Sequence, residues 1–561
     1  LIKSVLALKN KTLPPTLKSD EPDPDLELEK SPFFLNRRAR PWFRTNDTPR
    51  RAGVSAFGFG GSNFHVVLEE YGARKAEIAW YGSIEIIALS ATSLERLQSR
   101  FQDMKKSLID CPPEDLPHMA REHRKSFHAE DPYRLLLVLH GEEDAQGPRW
   151  DTDAVFEATA KAFEANTGAS SWHTPASFFG TGPQPGRLAF LFPGQGSQYL
   201  DMARDLVTWF PEAMETLETS ARHFSGEEPL TDFIYPPPSM TKTTPQKENA
   251  LRNTAVAQPA IGAVSVAMEK ILKRFGLIPE ATCGHSYGEL TALYSAGWID
   301  ETTLHELSSL RGKLMAEAGG RPGEPNGAML AVKAPLEKLD RLLEEEKLDV
   351  VLANRNSPNQ GILSGSSESI RHAEDACKTY KFRTVRLPVS AAFHSRLVES
   401  AREPFAAALQ STPFHPNKTA VYSNTTGAPY PTAPDEIRAL LGDHLRNPVN
   451  FIGEIENLYT DDYRIFIEVG PKTVLTGLVR AILKGREFHA IAMDASNGKK
   501  FGVEDLAHML CQLAALGCPV TWTEWESQED PPPPLKMRIP VNGANYRPPK
   551  PESAATRSSG R

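Results

Sequence analysis

Apolar and polar residues follow two spacings along this chain. Ile84-Glu85-Ile86-Ile87-Ala88-Leu89-Ser90 and Tyr133-Arg134-Leu135-Leu136-Leu137-Val138-Leu139-His140 are short apolar runs that read as strands. Leu94, Leu97, Phe101, Met104 and Leu108 recur at helical spacing and predict a helix over 94–109; a second is predicted over 152–164. These elements compose a small α/β unit over 71–183. Leu188–Phe192 reads as a buried strand, with helices around 202–210 and 258–275. From 327 to 388 the pattern is strand 327–332, helix 336–346, strand 350–353, strand 361–364, helix 367–380 and strand 382–387. That β-α-β-β-α-β order is ferredoxin-like, an insertion in a larger α/β body. A helix over 503–516, with Val503, Leu506, Leu510 and Leu513 on one face, comes late.

The two ends read differently. Residues 1–8 look like a helix already under way, without a signal peptide, which suggests a piece of a longer chain. A proline-punctuated loop (14–32) leads to the arginines Arg37, Arg38, Arg40, Arg44, Arg50 and Arg51, expected to be a solvated face, with a docking patch for an acidic partner as the minority reading. In Val54–Glu70 the glycines Gly58, Gly60 and Gly61 lack the Lys-Ser/Thr of a phosphate loop, and no helix opens after them; a tight, buried turn between two strands is expected. In the proline-rich tail (531–561), residues 539–546 are expected to pack as an extended strip and the last ten to be disordered.

Composition narrows the class. A length of 561 suggests three to four domains, and 40% apolar residues suffice for ordinary cores. A formal charge of −8 argues against a general nucleic-acid binder, and without eighteen consecutive apolar residues no membrane span is expected. Five cysteines without a C-x-x-C pair fit a reduced, cytoplasmic protein with no metal site. Cys283 reads as a small apolar filler at a strand end.

The chemistry gathers at Gly284-His285-Ser286-Tyr287-Gly288. The apolar run before this G-x-S-x-G and the helical run after it give the strand, sharp turn and helix of a nucleophile elbow, with Ser286 at a helix N-terminus. A simple tight connection between small residues is the plain alternative. For the base, His394 lies just past the inserted subdomain, one of fifteen histidines. His285 is read as structural, because neighbours at an elbow point apart. Pro193-Gly194-Gln195-Gly196-Ser197-Gln198 ends a strand in glycines and exposes backbone N–H groups; with that of Tyr287 they would form an oxyanion hole, or else an ordinary βα turn. On its residue type alone Arg311 is a surface arginine.

Taken together these blocks resemble malonyl-CoA:acyl carrier protein transacylases and the acyltransferase domains of polyketide synthases. The resemblance covers about 187–526 and adds Arg311-Gly312-Lys313-Leu314-Met315, Asn354-Arg355-Asn356-Ser357-Pro358, Ala392-Phe393-His394-Ser395, His444-Leu445-Arg446-Asn447-Pro448 and Glu468-Val469-Gly470-Pro471. It implies an α/β fold: a hydrolase-like parallel-sheet body over 184–526, with the ferredoxin-like subdomain at about 324–390. It implies Ser286 as nucleophile, His394 as base, the backbone N–H groups of Gln195 and Tyr287 as oxyanion donors, and the His444 carbonyl in place of a triad acid. Arg311 would bind the malonyl carboxylate. Phe393 goes with malonyl rather than methylmalonyl, and Ala391, smaller than the residue many members carry, is its companion. Val54–Glu70 resembles the C-terminal signature of β-ketoacyl synthases of polyketide and polyunsaturated fatty acid synthases. The resemblance therefore implies a synthase remnant over 1–70, a linker domain over 71–183 and a post-acyltransferase linker over 527–561. It implies malonyl-CoA as donor, an acyl carrier protein whose phosphopantetheine accepts the group, the upstream synthase domain as partner, and no bound cofactor, metal, nucleic acid or membrane. The alternatives are a serine hydrolase or editing thioesterase, a methylmalonyl-specific acyltransferase, and a non-enzymatic docking scaffold.

Overall fold

The computed structural model describes residues 1–525, apart from isolated residues and short gaps of which 239–243 is the longest. The tail, with the strip expected at 539–546, lies outside the described residues.

A helix, Ile2–Asn10, opens the chain, and Arg51–Phe57 then pairs antiparallel with Asn63–Glu69. This hairpin is where the structure departs most from expectation. It is not buried: Phe57 is 74%, Phe64 65% and Val67 63% exposed, because no other element of the described chain covers them. Only its root is buried. There Glu70 accepts from Lys11 Nζ at 2.8 Å and Arg50 Nη1 at 2.7 Å, and Arg50 also pairs with Glu218. The arginine stretch is thus a junction at Arg40, Arg44 and Arg50 and the expected solvated face at Arg37, Arg38 and Arg51. Arg50 is buried and Arg40 donates to the Tyr235 carbonyl, while Arg38 and Arg51 stay exposed. Carboxylates and carbonyls satisfying the guanidinium forks make that burial tolerable.

In the next unit Ile84–Ala91, Tyr133–Asp144, Ser177–Thr181 and Ser171–His173 form an antiparallel sheet in that order. Alternation splits its side chains between two cores. Ile87, Leu89, Leu135 and Leu137 meet the helices Leu94–Ile109 and Thr152–Ala165. Ile86, Leu136 and Phe178 join the main core together with Leu506, Leu510 and Leu513 of Gly502–Ala515. That late helix is tied to the sheet by Arg134 Nε, which donates to Ala515 O at 3.0 Å.

The body is a parallel five-stranded sheet in the order Ala420–Tyr422, Ala281–Gly284, Arg187–Phe192, Tyr463–Glu468, His489–Ala492. Such strands, covered on both faces, read as continuous apolar runs, and Leu188–Phe192 is one. The sequence runs outward in both directions from 187–192, so a ligand belongs at the carboxyl ends of these central strands. The helix Thr254–Arg274 is long and apolar enough to cross a membrane, but 89% of its apolar window is buried in the protein, where it serves as a core helix. The inserted subdomain has strand order Val351–Ser357, Gln360–Gly365, Ala328–Lys333, Arg383–Arg386, all antiparallel, with Leu336–Glu345 and Ser367–Thr379 closing its own core. This is the ferredoxin-like order. It docks on the body through Arg355 N to Val449 O and Val449 N to Ala353 O, both 2.8 Å.

Candidate active site

Two neighbouring strands of the body sheet end side by side in tight turns. After Ala281–Gly284 the chain turns at Ser286, whose φ is +53°, and enters the helix Gly288–Ser295. After Arg187–Phe192 it passes through Pro193-Gly194-Gln195. A Cβ on Gly194 would stand 2.3 Å from the His285 carbonyl, so only glycine lets the two turns touch. Neither the Gln195 nor the Tyr287 backbone N–H has a partner among the described hydrogen bonds, while the neighbouring His285 and Ser286 N–H groups are both engaged. The elbow helix begins at Gly288, so Tyr287 N–H is one of its free terminal donors.

His394, also left-handed at φ +55°, reaches Ser286 Oγ with Nε2 at 2.8 Å. Its Nδ1–H donates to the carbonyls of Asn447 at 2.9 Å and His444 at 3.1 Å. Those two bonds fix the tautomer that leaves Nε2 free to accept the serine proton. The family resemblance implies the His444 carbonyl; the shorter bond goes to Asn447. Burial, then the charge of Arg311, then His285, pull His394 down to about 3, so the resting imidazole is neutral. His285 turns away and donates Nε2–H to Asn356 Oδ1 at 2.7 Å, the structural role expected of it.

Arg311 is not a surface residue. It is 1% exposed on Glu301–Ala318, and burial lowers its guanidinium to about 10. A Cβ on Gly312 would lie 2.9 Å from the Thr254 carbonyl; that close helix contact brings Arg311 beside Gln258, whose Oε1 accepts from Nη1 at 2.8 Å. Nη2 is buried with no partner among the described residues. An unpaired buried cationic donor is costly, and it is the group a carboxylate would satisfy. Tyr287, its hydroxyl on Ser308 Oγ at 2.7 Å, lies 6.0 Å below the guanidinium. Phe393 and Ala391, both buried, belong to the same core. Gln258 and Asn447 carry no sequence signal of their own, since both act through three-dimensional neighbours. A groove of about 750 Å³, lined by Ile2, Leu6, Trp209 and Phe501, lies elsewhere, at the junction with the N-terminal helix.

Beneath the elbow lies a buried polar layer. Glu289, raised to about 7 chiefly by burial, accepts from the Tyr430 hydroxyl and stands 3.4 Å from His444 Nε2 without hydrogen-bond geometry. Glu454, also raised by burial, is tied to it through Asn424. The whole arrangement can activate a hydroxyl, hold an oxyanion and recognise an anionic acyl group.

Comparison with known proteins shows the family and the fold that the chain resembles. Residues 189–501 match the family model described as acyl transferase domain, and 22–134 match the ketoacyl-synthetase C-terminal extension. The chain is 31% identical over 549 residues to one of the subunits of a polyunsaturated fatty acid synthase from Thraustochytrium sp., covering 92% of this chain and 19% of that protein. It thus spans about a fifth of that relative's length. Among solved structures, a malonyl-transacylase in complex with a type II polyketide synthase acyl-carrier protein is 31% identical, with a TM-score of 0.51 over 58% of this chain and 99% of that one. The acyltransferase domain of the second salinomycin synthase module is 25% identical, with a TM-score of 0.58 over 80% and 96%.

Proposed function

The chain belongs to the acyl transferase domain family, and from that premise we propose that it loads malonyl units from malonyl-CoA onto the phosphopantetheine of an acyl carrier protein, within a larger synthase. The observation that carries this reading is Arg311, a buried cation with an unpartnered Nη2 beside a histidine-bound serine.

The chemistry follows from the geometry. Ser286 Oγ attacks the thioester carbonyl while His394 Nε2 takes its proton, and the Gln195 and Tyr287 N–H groups receive the oxyanion. Collapse expels CoA, to which His394 returns the proton, leaving an ester on Ser286. The carrier's thiol then repeats the sequence in reverse, with His394 again base and then acid. The bound carboxylate neutralises Arg311 and so removes the second cause depressing His394. The correct substrate therefore strengthens the base that acts on it. Acetyl lacks that carboxylate and leaves Arg311 unpaired. A 2-methyl group would crowd Phe393, worth about 1–3 kcal/mol against methylmalonyl. No cofactor of the enzyme's own is required by this scheme, and five free cysteines fit a cytoplasmic setting. The exposed hairpin is the face we assign to the synthase portion of the longer protein.

Intact-protein mass after mixing with malonyl-, acetyl- or methylmalonyl-CoA tests the reading, in wild type and Ser286→Ala. A malonyl adduct on wild type alone, chased off by holo-carrier, is the expected result. CoA release without adduct would favour a hydrolase, for which Arg311 has no use; no reaction would favour a scaffold.

A further inference from the structure

Every polar group of Asn424 is committed to the nucleophile elbow or to what supports it. The residue is fully buried, two positions past the strand Ala420–Tyr422, which runs parallel to the strand feeding the elbow. Its side-chain Oδ1 accepts the Ser286 backbone N–H at 2.6 Å. Its Nδ2 donates to the Gly284 carbonyl and, at 3.1 Å, to Glu454 Oε1. Its backbone N–H donates to Glu289 Oε2 at 3.1 Å, and its carbonyl accepts from Asn450 N–H at 2.7 Å. One side chain thus grips the turn on both sides of His285, an acceptor for the residue after it and a donor for the residue before it. The residue so gripped is the serine at φ +53°, a conformation costly for any residue with a Cβ.

We infer that Asn424 is the positioning residue of this site, holding Ser286 in its left-handed conformation so that Oγ faces His394 and the adjacent Tyr287 N–H stays free for the oxyanion. Without the clamp the Ser286 N–H and Gly284 carbonyl lose their partners and the turn can relax toward ordinary φ values. Oγ then moves away from Nε2. The amide is required because the two ends of the turn ask for opposite functions from one planar group. Aspartate, when ionised, supplies only acceptors and faces Glu289 and Glu454; when protonated it again offers one acceptor and one donor. The inference rests on Ser286 being the nucleophile.

The test compares wild type, Asn424→Ala and Asn424→Asp by malonyl adduct formation and by kcat and KM for carrier loading, from pH 5 to 8, with melting temperature recorded for each. The expected result is about a 100-fold fall in kcat with KM little changed for Asn424→Ala, the size a small misplacement of a reacting atom produces. Asn424→Asp should be impaired at pH 8 and recover as the pH falls toward 5, where its protonated carboxyl restores the donor. A merely structural asparagine would lower the melting temperature without this inverted pH profile. Folded variants that load at the wild-type rate, or an Asn424→Asp that is equally impaired at every pH, would overturn the inference. If Asn424→Ala does not fold, the Asn424→Asp profile decides alone. Loading that survives Ser286→Ala would instead overturn the nucleophile assignment, a distinct failure.

Discussion

The elbow at 284–288 and the hairpin turn at 58–62 begin as similar pieces of sequence. Each is a glycine-rich turn after an apolar strand, and each invites a functional reading. In the structure they are opposites. Around Ser286 the strands are fully buried, and the turn is clamped by Asn424, His394 and the Gly194 loop. Around Gly58 the strands pair only with one another, and Phe57, Phe64 and Val67 stand in solvent. Apolar patterning says that a segment wants to be covered. It does not say by what, and here the cover is absent from the described chain. Large apolar patches of this kind mark interaction sites rather than folding errors.

The comparison can be tested from both ends. The largest effect on activity is expected inside. Arg311→Ala should cost malonyl transfer about 10²-fold or more while acetyl loading rises relative to malonyl, since a lost buried charge pair is worth about 2–5 kcal/mol. Parallel kinetics with the two thioesters check it, and an unchanged malonyl-to-acetyl ratio would refute the role assigned to Arg311. Next is the root of the hairpin, which is buried like the elbow. Arg50→Ala leaves Glu70 and Glu218 short of a partner and should destabilise by about 3–5 kcal/mol, read in thermal or urea unfolding, with kcat of the folded fraction unaffected.

The pH effect is smaller. His394 sits at about 3 through burial and then Arg311, so in the free wild-type enzyme its neutral, competent form persists down to that pH and kcat/KM shows no histidine limb near 6. Removing Arg311 takes away a lowering influence, so the limb moves up in Arg311→Ala; a limb that stays in place would separate the two residues electrostatically. The smallest effect belongs to the exposed face. Phe57→Ser with Phe64→Ser should leave adduct formation within about twofold, as distant surface changes do, and raise solubility. A loss of activity would mean that the hairpin is coupled to the site after all.

Much of this was readable beforehand where a local signal sufficed. The helices 94–109 and 367–380 and the β-α-β-β-α-β order follow from spacing, and strand, turn and helix mark Ser286. Chain position offered His394 as one histidine of fifteen and the glycine turn offered Gln195; resemblance to a family singled both out and supplied the roles of Arg311 and His444. Other residues, like Gln258, had no local signal. Arg50 reads as one more surface arginine until Glu70 and Glu218 fold against it. Asn447 acts through its main-chain carbonyl, which every residue possesses. Asn424 is one asparagine in a loop, and its partners lie 138 and 140 residues away.

The sequence by itself determined the elements, their order and the chemical types at the site, because periodicity and turn chemistry are local properties of the chain. Only the tertiary structure decided that Arg311 is buried and half-paired, that two carbonyls orient His394, and that the hairpin lies bare. Burial, desolvation and hydrogen-bond partnership depend on which distant segments meet, and no local pattern carries that information.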